Sequence, residues 1–106
     1  MVIRILTFEG CPNCNAANEL AEQTVRELHV QADIEGIHVN SESEAERFHF
    51  LGSPTIQVNG EDIEVNRRHD KASYACRVYR SAHGVAGVPP KQLLVDAIRE
   101  AELHSF

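Results

Sequence analysis

The sequence predicts an α/β protein with the element order βαβαββα, and three observations carry that prediction. An apolar stretch, VIRILTF, leads into a long segment of helical periodicity and then into a second alternating apolar stretch, which is the pattern of a βαβ unit. Asn59-Gly60 separates two short runs of strand-forming residues, and that dipeptide favours a two-residue hairpin. After Pro90 an apolar stripe returns at helical spacing.

Each element has its own local reason. Residues 2–8 are apolar or β-branched with a single charge, as expected of a strand covered on both faces. In NAANELAEQTVRELHV, Leu20, Ala21, Thr24, Val25 and Leu28 fall on one stripe, with Glu19, Glu22, Gln23 and Glu27 outside it. This is an amphipathic helix, expected to begin at Pro12. Residues 33–39, DIEGIHV, alternate with Ile34, Ile37 and Val39 apolar and read as a second strand. Ser41 or Ser43 caps a short helix that LGSP ends near His49, because the residue before a proline leaves the helical region. Thr55 to Val58 form the third strand, and the Asn59-Gly60 turn returns residues 62–65 antiparallel as the fourth. Pro90 opens the last helix, whose stripe is Leu93, Leu94, Ala97, Ile98 and Ala101.

Between the fourth strand and that helix, residues 66–89 are too many for a plain connection. They read as a long loop or insertion, either a binding loop or a packed excursion, with an extra strand around Cys76 to Tyr79. At 106 residues the chain is expected to form one domain over 1–106.

Composition removes several classes of function. Sixteen acidic against ten basic residues leave a net charge of -6, which argues against a nucleic-acid partner, since that affinity rests on clustered Lys and Arg. No apolar run approaches the roughly 20 residues of a membrane span. The N-terminus MVIRILTFEG lacks the charged, apolar and small-residue regions of a secretory signal, so a cytoplasmic location is expected. Three cysteines in such a chain fit reactive or ligand thiols better than a structural disulfide framework.

The chemistry centres on GCPNC, residues 10–14. A helix starting at Pro12 puts Cys11 in the N-cap region and Cys14 one turn in, with both thiols near one face. Unpaired N–H groups and the positive end of the helix dipole then favour a thiolate at Cys11, the nucleophile. Pro12 presets the first turn, Asn13 spaces the pair, and Cys14 is placed to attack a mixed disulfide on Cys11. Two other readings stay open: half of a metal site, or two neighbouring thiols without a shared role.

The order strand, CPNC, helix, strand, helix, Ser53-Pro54-Thr55, hairpin, helix resembles the thioredoxin fold over nearly the whole chain, and C-P-x-C is similar to the glutaredoxin motif. The resemblance implies a three-layer α/β/α architecture around a central four-stranded mixed sheet, and a thiol–disulfide oxidoreductase that needs no cofactor. It implies a cis Pro54 facing the cysteine pair. Ser53 would offer backbone hydrogen bonds to a bound peptide or glutathione, within a substrate-binding segment Ser53-Pro54-Thr55. The expected partners are a protein or low-molecular-weight disulfide and a separate electron donor, the protein itself being a monomer. The chain departs from thioredoxins in lacking Trp-Cys-Gly-Pro-Cys, and from glutaredoxins in lacking a double glycine after the hairpin, which argues against glutathione dependence. LGSPTIQVNGEDIE followed by ACRVYR also resembles small bacterial thioredoxin-like proteins described as alkylmercury-lyase-like, which implies a thiol handling soft electrophiles or metals.

That likeness motivates the alternative function. Cys11 and Cys14, with or without Cys76, would bind zinc, copper(I) or mercury(II), and a structural zinc would draw its two further ligands from Cys76 and His69 or His83. Cys76 is otherwise a small buried hydrophobe. Arg67, Arg68 and Lys71 form either a basic patch that steers an anionic substrate or a solvated loop.

Overall fold

In a computed structural model that describes residues 1–82 and 84–104, the strand β1 (Val2–Thr7) occupies the middle of the sheet. It pairs in parallel with β2 (Asp33–His38), from Val2 opposite Asp33 to Thr7 opposite His38. On its other side it runs antiparallel to β3 (Thr55–Val58), with Ile5 opposite Ile56. Asn59 and Gly60 adopt φ of 51° and 85°, the doubly positive geometry that joins tightly paired antiparallel strands, and β4 (Glu61–Asp62) returns against β3. The mixed sheet therefore has the order β2-β1-β3-β4.

Side chains along a strand alternate between faces, and β1 uses this to seed two cores. Ile3 and Ile5 join Ile56, Val58 and Ile63 against Ala17 and Ala21 of α1 (Cys14–Leu28) and Leu94, Ala97 and Ile98 of α3 (Lys91–Leu103). Leu6 points the opposite way, where it meets Val39, Phe50 and Ala45 of α2 (Glu42–Phe48). Helices on both faces make the α/β/α layering expected of a thioredoxin-like fold. Each fully buried Leu or Ile contributes roughly 1.5–3 kcal/mol. Among the described residues no helix is long and apolar enough to cross a membrane.

Three boundaries differ from the sequence reading by two residues or more. The helix α1 starts at Cys14 rather than Pro12, because Pro12 and Asn13 form a turn and the first helical hydrogen bond runs from Ala17 N–H to Asn13 O at 3.0 Å. Of the two caps read for α2, Ser41 is the one used, as expected: its hydroxyl accepts from Glu44 N–H at 3.1 Å, while the Glu44 carboxylate accepts from Asn40 N–H at 3.0 Å. The strand β4 stops at Asp62 instead of running to Val65, since the Asp62 carboxylate accepts from Glu64 N–H at 2.9 Å and turns the chain into a 3-10 turn over Val65–Arg67. The predicted strand around Cys76 begins only at Tyr79. There β5 (Tyr79–Ser81) pairs with β6 (Gly84–Ala86), and Cys76 makes an isolated parallel bridge to Ser53.

Candidate active site

β1 ends at Thr7, and the chain then turns sharply, with Cys11 N–H donating to Phe8 O at 3.3 Å. Gly10 supports that turn at φ 83°, a left-handed conformation that a Cβ opposes, although no atom stands near enough to clash with one. Cys11 lies in the turn and Cys14 is the first residue of α1, so the helix terminus is at Cys14 and Cys11 precedes the cap. This corrects the expectation that Cys11 sits in the cap region. Asn13 is the N-cap but makes no side-chain cap, and no acidic residue occupies the first turn, so the leading N–H groups of α1 remain unneutralised next to the motif. Both thiols are free and half-buried. The Cys14 thiol points at Thr7 Oγ1 at 3.8 Å, and Asn18 Nδ2 lies 3.7 Å from the same sulfur while donating to Cys14 O at 3.2 Å. Thr7 reaches Cys14 because it shares the α1 face of β1 with Ile3 and Ile5.

The Ser53–Pro54 peptide bond is cis, at the entrance to β3. Ser53 Oγ accepts from Phe8 N–H at 3.2 Å, which ties the proline loop to the end of β1. The backbone of Ser53 is used as well: its N–H donates to Ala75 O at 2.8 Å and its carbonyl accepts from Arg77 N–H at 3.0 Å. Ser53 is only 1% exposed, Pro54 is buried and Thr55 is 0% exposed. Thr55 is not a surface group. Its hydroxyl donates to Gly52 O at 2.5 Å and accepts from Leu51 N–H at 3.1 Å and from Arg77 at 3.3 Å.

The segment that covers this loop is part of the stretch read as a loop or insertion, and it is built on Arg77. The guanidinium is fully buried and forms a fork to Asp62 at 2.7 and 2.8 Å, with a third bond to Glu64 at 2.8 Å. It also stacks on the Tyr79 ring at 4.4 Å, and Tyr79 donates its hydroxyl hydrogen to Pro54 O at 2.6 Å. Burial is the largest single influence on Arg77 and opposes its charge, but the Asp62 and Glu64 hydrogen bonds, together with the charge interactions with Tyr79 and Asp62, outweigh it and hold the guanidinium above its usual range. Sequence reasoning did not single out Arg77, Asp62 or Tyr79. The one available signal was an arginine alternating with apolar residues in CRVY, a register that aims it the same way as Tyr79.

Other expected residues take different places. Cys76 is exposed and not a buried hydrophobe. Among the described residues no three or more His, Cys, Asp or Glu side chains stand together in a way that could hold a metal ion, so Cys76 and His69 do not complete a centre with Cys11 and Cys14. His83 lies outside the described residues. Arg67 pairs with Glu64 and Asp70, and Arg68 with Glu61 and Glu100, so carboxylates neutralise the supposed basic patch around Lys71.

A C-x-x-C pair where the first strand of a βαβ unit turns into its helix, with Phe8 at that turn tied to a loop that carries a cis proline before an antiparallel strand, defines a thioredoxin-like protein. The family model described as a thioredoxin domain matches residues 1–65, more than half of the 106-residue chain, and the chain belongs to that family. No curated protein and no solved structure matches the chain.

Proposed function

We propose that the protein is a thiol–disulfide oxidoreductase whose working couple is Cys11 and Cys14. The observation that carries this reading is the pairing of a half-exposed thiol in the turn after β1 with a second thiol on the first residue of α1, held by Thr7 and Asn18. The uncapped N–H groups at the start of α1 offer donors to negative charge developing on sulfur. The Cys11 thiolate attacks a substrate disulfide, forms a mixed disulfide and expels one thiolate. Cys14, as thiolate, then attacks the Cys11 sulfur, closes the Cys11–Cys14 disulfide and expels the second. Two electrons pass from the dithiol to the substrate, and the two protons lost by the cysteines end on the released thiols. An external thiol reductant restores the dithiol.

The test is a disulfide reductase assay on the wild type, Cys11→Ser and Cys14→Ser. Cys11→Ser is expected to fall to background. Cys14→Ser is expected to accumulate a mixed disulfide on Cys11, seen as an added substrate mass that a reductant removes. Equal activity in Cys11→Ser and the wild type would reject the reading.

A further inference from the structure

We propose that residues 73–77 form a strap that restricts the Cys11–Cys14 couple to low-molecular-weight disulfides and excludes disulfides carried on extended polypeptide segments. The inference rests on the thiol–disulfide reading above and names its substrate class. A chain segment held beside a reactive thiol needs backbone partners, and it finds them by adding to an exposed N–H and C=O pair. Next to this motif the pair that could serve is that of Ser53, whose hydroxyl is bonded to the residue that starts the turn to Cys11, but it is not exposed. Both of its backbone groups are already satisfied by Ala75 and Arg77 of the same chain, in a parallel bridge centred on Cys76. An incoming peptide would have to displace this internal strand.

The strap is fastened at several points. Ser73 N–H donates to Phe50 O at 2.9 Å, and the Tyr74 ring meets the Phe8 ring edge-on at 5.3 Å. Gly52 lets the strap approach closely: a Cβ there would lie 2.9 Å from Arg77 Cβ and 3.2 Å from Ala75 O. Arg77 locks the far end through Asp62 and Glu64. From the other side, Gly87 packs so tightly on Asn13 that a Cβ would fall 2.1 Å from its amide nitrogen. The motif is thus flanked by the protein's own chain, yet Cys11 remains half-exposed. A small disulfide can reach that sulfur without a backbone docking edge.

The test uses the full chain with excess dithiothreitol as reductant and compares turnover of bis(2-hydroxyethyl) disulfide with that of insulin. The wild type is expected to reduce the small disulfide and to leave insulin at the rate of dithiothreitol alone. Two variants loosen the strap without touching the cysteines: Arg77→Lys, which keeps the charge and loses the fork, and Ser73→Pro, which removes the bond to Phe50 O. Faster hydrogen exchange at the Ser53 amide identifies a loosened strap. Such a variant is expected to gain insulin reduction by roughly tenfold, the scale of losing one hydrogen bond to a charged group, with unchanged small-disulfide turnover. Insulin reduction by the wild type as fast as small-disulfide reduction overturns the proposal and leaves the oxidoreductase reading standing. Activity on neither substrate removes that reading, and the proposal with it. Unchanged insulin reduction in a loosened variant, or unchanged Ser53 exchange in both variants, also overturns the proposal.

Discussion

Arg77 is the side chain with most at stake, because its charge is buried and three of its bonds go to carboxylates. Its Nε is buried without a hydrogen-bond partner among the described residues, so the stabilisation comes through the two terminal nitrogens. Removing one partner of a buried pair strands the other, and Arg77→Ala is expected to cost about 3–5 kcal/mol in urea unfolding. Gly10→Ala sets a smaller scale. With no atom close to the added Cβ, its cost is the left-handed conformation alone, about 1–2 kcal/mol by the same measurement. Tyr79 gives a pH signature. Burial pushes its phenol well above the ordinary value of 10.0, so as pH rises the unfolded chain releases this proton before the folded one does. The stabilisation is therefore complete below about pH 10 and is lost as the pH climbs further. Tyr79→Phe is expected to flatten that alkaline loss, measured as unfolding free energy against pH, while costing roughly 1 kcal/mol at neutral pH for the bond to Pro54 O.

At the scale of elements, α1 and α3 share one face of the sheet and are tied across their exposed sides by Lys91 and Glu27. The Lys91 hydrogen bond holds the Glu27 carboxyl below its ordinary 4.5. A lowered carboxylate contributes stability above its unfolded value and loses it as pH falls through the folded one. Because the pair is exposed to solvent, the contribution is small. Lys91→Met is therefore expected to return the Glu27 midpoint toward its ordinary value in an NMR titration and to leave the thermal midpoint almost unmoved.

For the whole molecule, the residues that match the family end at Val65, but the core does not. Leu94, Ala97 and Ile98 of α3 complete the face built by Ile3, Ile5 and Ile56, and Arg77 neutralises Asp62 of β4. A fragment of residues 1–65 loses the burial of Leu94 and Ile98, each of roughly 1.5–3 kcal/mol, and leaves the Asp62 carboxylate unpaired. It is expected to lack a cooperative thermal transition by circular dichroism, whereas the full chain has one.

The elements that the sequence made legible are those whose cause is local. VIRILTF is a strand between two covered faces, Leu20 to Leu28 and Leu93 to Ala101 are helical stripes, and Asn59-Gly60 is a turn that needs two positive φ angles. The spacing of Cys11 and Cys14, and the presence of Ser53-Pro54, were equally plain. Less legible was where the first helix begins, because Pro12 suits both a first helical position and a turn. Invisible altogether was the partnership of Asp62 with Arg77, fifteen residues apart and each unremarkable as a surface charge. The sequence by itself determined the order of the main elements and the spacing of the thiol pair, because periodicity and turn propensity act over a few residues. Only the tertiary structure decided what covers Ser53 and Pro54, because a buried charge must find its counter-charge wherever the folded chain brings one, and here that search carries residues 73–77 across the loop that holds the cis proline.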